Sequence, residues 1–151
     1  ALPYFYIVAG KAMDEAYMAE LQTAMAATNG QAIYVGQLSG NDVKLLYARS
    51  TLFLLAATLE RGDVEGFGLV ITEAGAQGCP AVATRVGGIP DALQEGKSGL
   101  LCAENDIAGL AQAIRSVLTQ PALRAQLGQG AKDYSASLTW ERNAQTMLEG
   151  F

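Results

Sequence analysis

Two hydrophobic rhythms alternate along the chain. Short runs of apolar, β-branched and aromatic residues recur at Tyr4 to Ala9, Ala32 to Val35, Leu52 to Ala56, Pro80 to Thr84 and Gly99 to Cys102. Each is too brief for a helix, is bounded by turn residues and reads as a buried strand. The segments between them have helical character. Asp14 can cap a helix whose Tyr17, Leu21, Ala24 and Met25 share one face, and Asn29-Gly30 supplies its stop. Ser39-x-x-Asp42 has the form of a capping box for a short helix through Arg49. Leu69 to Gly78 is a helix of small and apolar residues, and a brief one lies around Asp91 to Gln94. From Asn105 onward the chain is helical. Ile107, Leu110, Ala111, Ile114, Val117 and Leu118 keep the 3.6-residue period. Pro121 opens a second helix where proline is tolerated, with Leu123, Leu127, Ala131 and Tyr134 inward. Thr139 can cap a third, striped by Trp140, Ala144, Met147, Leu148 and Phe151.

Strands alternating with helices predict the α/β class, with about five parallel strands in a doubly wound, Rossmann-like sheet covered on both faces, followed by C-terminal helices. At 151 residues the chain is expected to be one domain, residues 1–151. Ligands of such sheets bind beyond the carboxyl ends of the strands. Gly10, Gly36-Gln37-Leu38, the 57–68 loop and Arg85 to Gly88 all fall there and are expected to converge on one crevice.

The 57–68 loop ends in the most informative stretch, Glu65-Gly66-Phe67-Gly68-Leu69-Val70-Ile71-Thr72-Glu73. The glycines close a loop and a helix begins at Leu69, so the first helical amides lie beside Gly66 to Leu69. Such amides lack intrahelical acceptors and attract anions, an effect of about 0.3–1 kcal/mol when exposed and up to about 2 when partly buried. Phosphate is the usual guest. Glycine at 66 and 68 lets a diphosphate approach the backbone. Glu73, a turn into the helix, is placed to accept hydrogen bonds from vicinal hydroxyls, as acidic residues do for ribose, and Glu65 would face a second polyol. On spacing alone the alternative stands level: Glu65 complements the dipole and Glu73 is solvated.

Composition narrows the chemistry. Half the residues are apolar, and runs such as Leu52 to Ala57 are far too short to span a bilayer. The net charge of −5 would repel nucleic acid and anionic membrane, so any phosphate must be held locally. Histidine is absent, which removes the commonest general base and metal ligand and leaves carboxylates or the substrate for any chemistry. Cys79 and Cys102, the two cysteines, show no CxxC spacing and read as buried free thiols. With no signal peptide in view, a cytoplasmic setting is expected, peripheral to the membrane at most.

Beyond the Glu65-x7-Glu73 pair, the run Ala74-Gly75-Ala76-Gln77-Gly78-Cys79-Pro80-Ala81-Val82-Ala83-Thr84, then Val86-Gly87-Gly88-Ile89-Pro90-Asp91, closely resembles the retaining GT-B glycosyltransferases of family 4. Gly96-Lys97-Ser98-Gly99-Leu100-Leu101 resembles that family's "dG-x-x-G-L-L" segment. Val35-Gly36-Gln37-Leu38-Ser39 and Leu45-Leu46-Tyr47-Ala48 are similar to its "f-x-G-x-v" and "l-x-x-l-y-x-x-a" pieces, so the likeness covers nearly the whole chain. The resemblance implies transfer of a hexosyl group from a nucleoside-diphosphate sugar, such as a UDP-sugar, with retention and without a metal or other cofactor. The setting it implies is polysaccharide biosynthesis.

By that resemblance Glu73 holds the ribose and Glu65, the one catalytic candidate, meets the hydroxyls of the transferred sugar. The loop Gly66-Phe67 leads to the Gly68, Leu69 and Val70 amides at the diphosphate, and Leu38 meets the base through its backbone. The family's phosphate-binding Arg and Lys, and its acceptor-binding domain, would precede Ala1, so this chain would be the donor-binding part and inactive alone. Its acceptor, a sugar or lipid, would bind through the missing N-terminal domain. Lys11 and Arg61 read as surface charges. The alternatives are a non-catalytic nucleotide-sugar-binding or regulatory module, and an epimerase on the same fold, which would need acid–base residues the chain does not show. The family's sheet runs 3-2-1-4-5-6, and the motifs start this chain at the second strand. Because a gap would leave two unpaired edges, the expected order, renumbered, is 2-1-3-4-5, with Tyr6 to Val8 paired in parallel with Phe53 to Leu55.

Overall fold

The computed structural model describes residues 4–12, 14–59, 66–139, 141 and 148. The chain forms two compact units, one up to Val43 and one from Lys44 onward.

In the first unit, strands β1 (Tyr6–Val8) and β2 (Ala32–Tyr34) run parallel in the register Tyr6 to Ala32, Ile7 to Ile33 and Val8 to Tyr34. Helix α1 (Glu15–Ala26) connects them. Asp14 caps α1 as expected, its carboxylate accepting from the Tyr17 amide at 2.9 Å. The stop works as the sequence implied, through Asn29 and Gly30 at φ +53° and +82°. The Tyr34 hydroxyl donates to the Gly10 carbonyl at 2.7 Å, and the Gly10 amide donates to the Gly36 carbonyl at 2.9 Å, tying together the two loops that leave the strands. The expected burial is not reached. No residue of α1 is buried, Tyr17 on its expected inner face is 49% exposed, and Tyr6 of β1 is 41% exposed. Two short strands and one helix offer too little apolar surface to close a core.

The second unit takes most of α2 (Gly40–Arg49) and all that follows. The Ser39 half of the capping box at the start of α2 is present, Ser39 Oγ accepting from the Asp42 amide at 3.3 Å, while the Asp42 carboxylate accepts from the Ser39 hydroxyl at 2.6 Å. Near its end Tyr47 meets Phe53 edge to face, with ring centroids 5.5 Å apart. Strands β3 (Phe53–Leu55), β4 (Ala81–Thr84) and β5 (Gly99–Cys102) form a parallel sheet in that order. Helices α3 (Leu69–Ala76), α4 (Ile89–Ala92), α5 (Ile107–Thr119) and α6 (Pro121–Ser137) complete it.

All four residues of β4 are buried, and its alternation divides the core. Ala81 and Ala83 face one cluster with Ile71 of α3 and Ile89, Ala92 and Leu93 around α4. Val82 faces another with Val117 of α5 and Leu127 of α6. A strand with apolar side chains on both faces, each covered by helices, is what a doubly wound α/β fold requires.

The neighbours β2–β1 and β3–β4–β5 are those expected, but Tyr6–Val8 does not pair with Phe53–Leu55. The strands form a two-stranded and a three-stranded sheet, not one sheet of order 2-1-3-4-5. A smaller correction concerns Ile107, which follows the α5 period yet is 80% exposed. It is the first helical residue, where the chain has not yet turned onto the sheet. The third C-terminal helix, from Thr139 through Phe151, lies almost wholly outside the described residues.

Candidate functional site

Helix α3 begins where the sequence placed an anion site, and its start is built from backbone. Its N-cap is Gly68, at φ +81° and ψ 45° in the left-handed region, and no side chain caps the helix. Only glycine adopts that conformation without steric cost. The Gly68 carbonyl accepts from the Ile71 amide at 2.8 Å, closing the first turn. Leu69 and Val70 occupy the next two positions, whose amides have no acceptor within the helix. Gly68 and Ile71 are buried, Phe67 packs on the core cluster below α3 and Leu69 is 66% exposed. The opening turn therefore has one side in the core and one in solvent.

Glu73 stands one turn further along α3, exposed. Burial first, then the Glu73 carboxylate and Cys79, raise the pKa of the Tyr47 hydroxyl above the ordinary tyrosine value. Tyr47 and Glu73 thus share one neighbourhood beside α3. Glu65, the catalytic candidate, lies outside the described residues. Leu38 follows β2 in the first unit, half-buried in the loop after Gly36, whose φ is +74°. The structure therefore brings Gly66, Phe67, Gly68, Leu69, Val70 and Glu73 together on one loop and helix of the second unit, and sets Leu38 in the other unit.

Three further residues shape the loops around α3. Thr84, the last residue of β4, donates its hydroxyl to the Ala57 carbonyl at 2.6 Å. Glu104, just after β5, accepts from the Leu59 amide at 2.6 Å. The loop leaving β3 is thus held from the ends of both other strands of its sheet. Gly88, between β4 and α4, lies directly against Gly66. Sequence reasoning did not find Thr84 or Glu104, because their partners are 27 and 45 residues away and no local pattern marks them.

The other chemistry-bearing groups are quiet. Burial pushes the Cys79 thiol up to about 12, and burial, then Asp106 and Glu95, raise that of Cys102. Both are buried free thiols, as expected, and far from the thiolate state that reacts. Arg85, at the end of β4, is engaged by Glu95 at 2.5 Å. Among the described residues no three of Cys, Asp and Glu gather into a metal-binding group, and no helix is long and apolar enough to cross a membrane. In the first unit a shallow depression lined by Ala12, Asp14, Glu15, Met18, Ala19 and Gln22 carries two carboxylates and no cation.

Comparison with known proteins places this geometry in a group. A family profile described as "Glycosyl transferases group 1" matches residues 2–134. A D-inositol 3-phosphate glycosyltransferase of Salinispora arenicola is 32% identical over 141 residues, which is 93% of this chain and 30% of that protein. Another of that description, from Saccharomonospora viridis, is 41% identical over 85 residues, 56% of this chain and 20% of the relative. The chain thus spans less than a third of these relatives. Among solved structures, Anabaena Alr3699/HepE in complex with UDP superposes with a TM-score of 0.83 over 98% of this chain and 41% of that one, at 22% identity. The same protein has been solved with UDP-glucose. At that identity the likeness establishes the fold, Rossmann-like and shared with GT-B glycosyltransferases.

Proposed function

Since the chain belongs to the group 1 glycosyl transferases, we propose that it is the donor-binding domain of a retaining glycosyltransferase of the family-4 type, acting on a nucleoside-diphosphate sugar. The observation that carries this reading is the start of α3: a left-handed Gly68 with no capping side chain, followed by Leu69 and Val70 amides at an exposed helix end. The donor diphosphate lies against those amides. Glu73 accepts from the ribose hydroxyls, Leu38 meets the base through its backbone and Glu65 meets the hydroxyls of the sugar. The chemical work of the domain is to stabilise the charge that develops on the departing diphosphate, which preorganised donors do without reorganising at the moment of reaction. The UDP and UDP-glucose complexes of HepE support a donor of this class. The acceptor is held by other parts of the enzyme. Orientation of two reactants supplies about 7–11 kcal/mol of barrier lowering, so the 151-residue chain by itself binds donor without turning it over.

The test is calorimetric titration of UDP, GDP and their glucose conjugates into the chain, followed by a donor screen on the intact protein. Saturable binding of a nucleoside diphosphate is expected. Binding of neither UDP nor GDP overturns the reading, and binding without any transfer by the intact protein selects the non-catalytic module.

A further inference from the structure

Gly87 and Gly88 join β4 to α4, and the structure requires glycine at the two positions for different reasons. Gly87 has φ +52°, a conformation side chains disfavour, so the turn accounts for it. Gly88 has φ −85° and ψ 3°, which any residue can adopt. Turn geometry does not ask for glycine there, but space does. A Cβ on Gly88 would overlap the Gly66 carbonyl oxygen and stand 2.7 Å from its carbonyl carbon and 2.9 Å from Phe67 Cα. These are backbone atoms, which cannot swing aside like the end of a long side chain. Two residues on, the Cβ direction of Gly68 already faces Ile71 Cδ1 of α3 at 3.3 Å and Ala92 Cβ of α4 at 3.5 Å. The segment Gly66–Gly68 is confined between α4 and α3.

We propose that Gly88 is a positioning residue of the nucleotide site. Its bare Cα sets the depth at which Gly66–Gly68 lies, and so where a diphosphate can sit against the Leu69 and Val70 amides. The inference rests on reading the start of α3 as the diphosphate site. A methyl group at 88 must push the Gly66 peptide outward by on the order of 1 Å, and misplacements of that size can cost about 10²-fold in a site that depends on geometry. The ribose and base, bound elsewhere, would not feel it.

The test compares Gly88→Ala with the wild-type chain, using thermal denaturation, UDP titration by calorimetry and uridine titration by NMR. The expected result is a folded variant whose UDP affinity falls at least tenfold while its uridine affinity stays within twofold. A folded variant with wild-type UDP affinity overturns the proposal, as do equal losses for UDP and uridine, which would mark a general loosening. Should Gly88→Ala fail to fold, the wild-type protein decides. Saturation with UDP should shift the resonances of Gly88 together with those of Gly66 and Gly68 along one titration curve, and a Gly88 that stays still while they move overturns the proposal. Wild-type protein that binds neither UDP nor GDP removes the functional reading itself, and this proposal with it, a failure distinct from the others because it appears before any variant is made; if only GDP binds, GDP and guanosine take the places of UDP and uridine in the comparison.

Discussion

Glu73 and Glu65 stand at opposite ends of the glycine loop in the sequence, and the proposed division of labour between them can be measured. Glu73→Ala should weaken UDP and UDP-sugar alike, whereas Glu65→Ala should weaken the UDP-sugar more than UDP. A hydrogen bond to a charged group is worth about 1.5–3 kcal/mol, so each loss should be ten-fold or more by calorimetry, and equal losses for both ligands in both variants would end the division. Cys79 supports a second expectation at this scale. Its thiol titrates near 12 in the fold because burial disfavours the thiolate, against an ordinary value near 8.5. The folded state therefore holds a proton that the unfolded state releases first, and stability, intact below the ordinary value, falls as pH rises from about 8.5 toward 12. Denaturant midpoints measured from pH 7.5 to 10.5 should decline, and Cys79→Ala should flatten the decline; an unchanged slope would exclude Cys79 as a source. The glycine loop that opens α3 and both thiols were legible in the sequence because glycine and apolar flanks are local signals. Thr84, Glu104 and the clearance at Gly88 were not, since each acts on backbone that only the folded chain brings near.

At the level of elements, the caps were legible: Asp14, Ser39 and the Asn29-Gly30 stop announce themselves by residue type and spacing. How the helices pack was not. Helix α6 reads from its period as an ordinary amphipathic helix, yet its glycines touch other backbone. A Cβ on Gly128 would come within 2.7 Å of the Gly78 carbonyl oxygen, and one on Gly130 within 2.8 Å of the Lys97 carbonyl carbon. Gly75 of α3 has the same character, with Ser135 Oγ at 2.5 Å and the Ala131 carbonyl oxygen at 3.1 Å from its Cβ direction. These contacts reverse the sign of a common substitution. Helix propensity alone makes glycine to alanine stabilising by about 0.8–1 kcal/mol, but overpacking of this kind costs about 1–3 kcal/mol. Gly130→Ala should therefore lower the melting temperature by several degrees. A rise would show that α6 can move away from the Lys97 loop at little cost.

Across the whole molecule, the α/β class and the parallel pairing inside each sheet followed from the alternation of strand and helix, whereas the division into two units and the unmade β1–β3 pairing did not. Periodicity reports which face of an element is apolar, and is silent on whether enough partner surface exists to cover it. The consequence should be visible in hydrogen exchange. Val82 and Ala83 of β4 are fully buried, while α1 has no buried residue, so β4 amides should be protected close to the global stability and those of β1 and β2 far less. Equal protection in both sheets would mean that the units unfold as one. The two faces of β4 carry a consequence of another kind, for how such a protein can change over generations. Ala83 and its neighbours adjoin the Gly66–Gly68 loop through Phe67, whereas Val82 faces α5 and α6 on the far side of the strand. Substitutions on opposite faces share few partners, and effects at sites without shared partners add nearly independently. A lineage can therefore accumulate stabilising changes under α5 and α6 without disturbing the loop, then draw on that reserve when residues on the loop side change at a cost in stability.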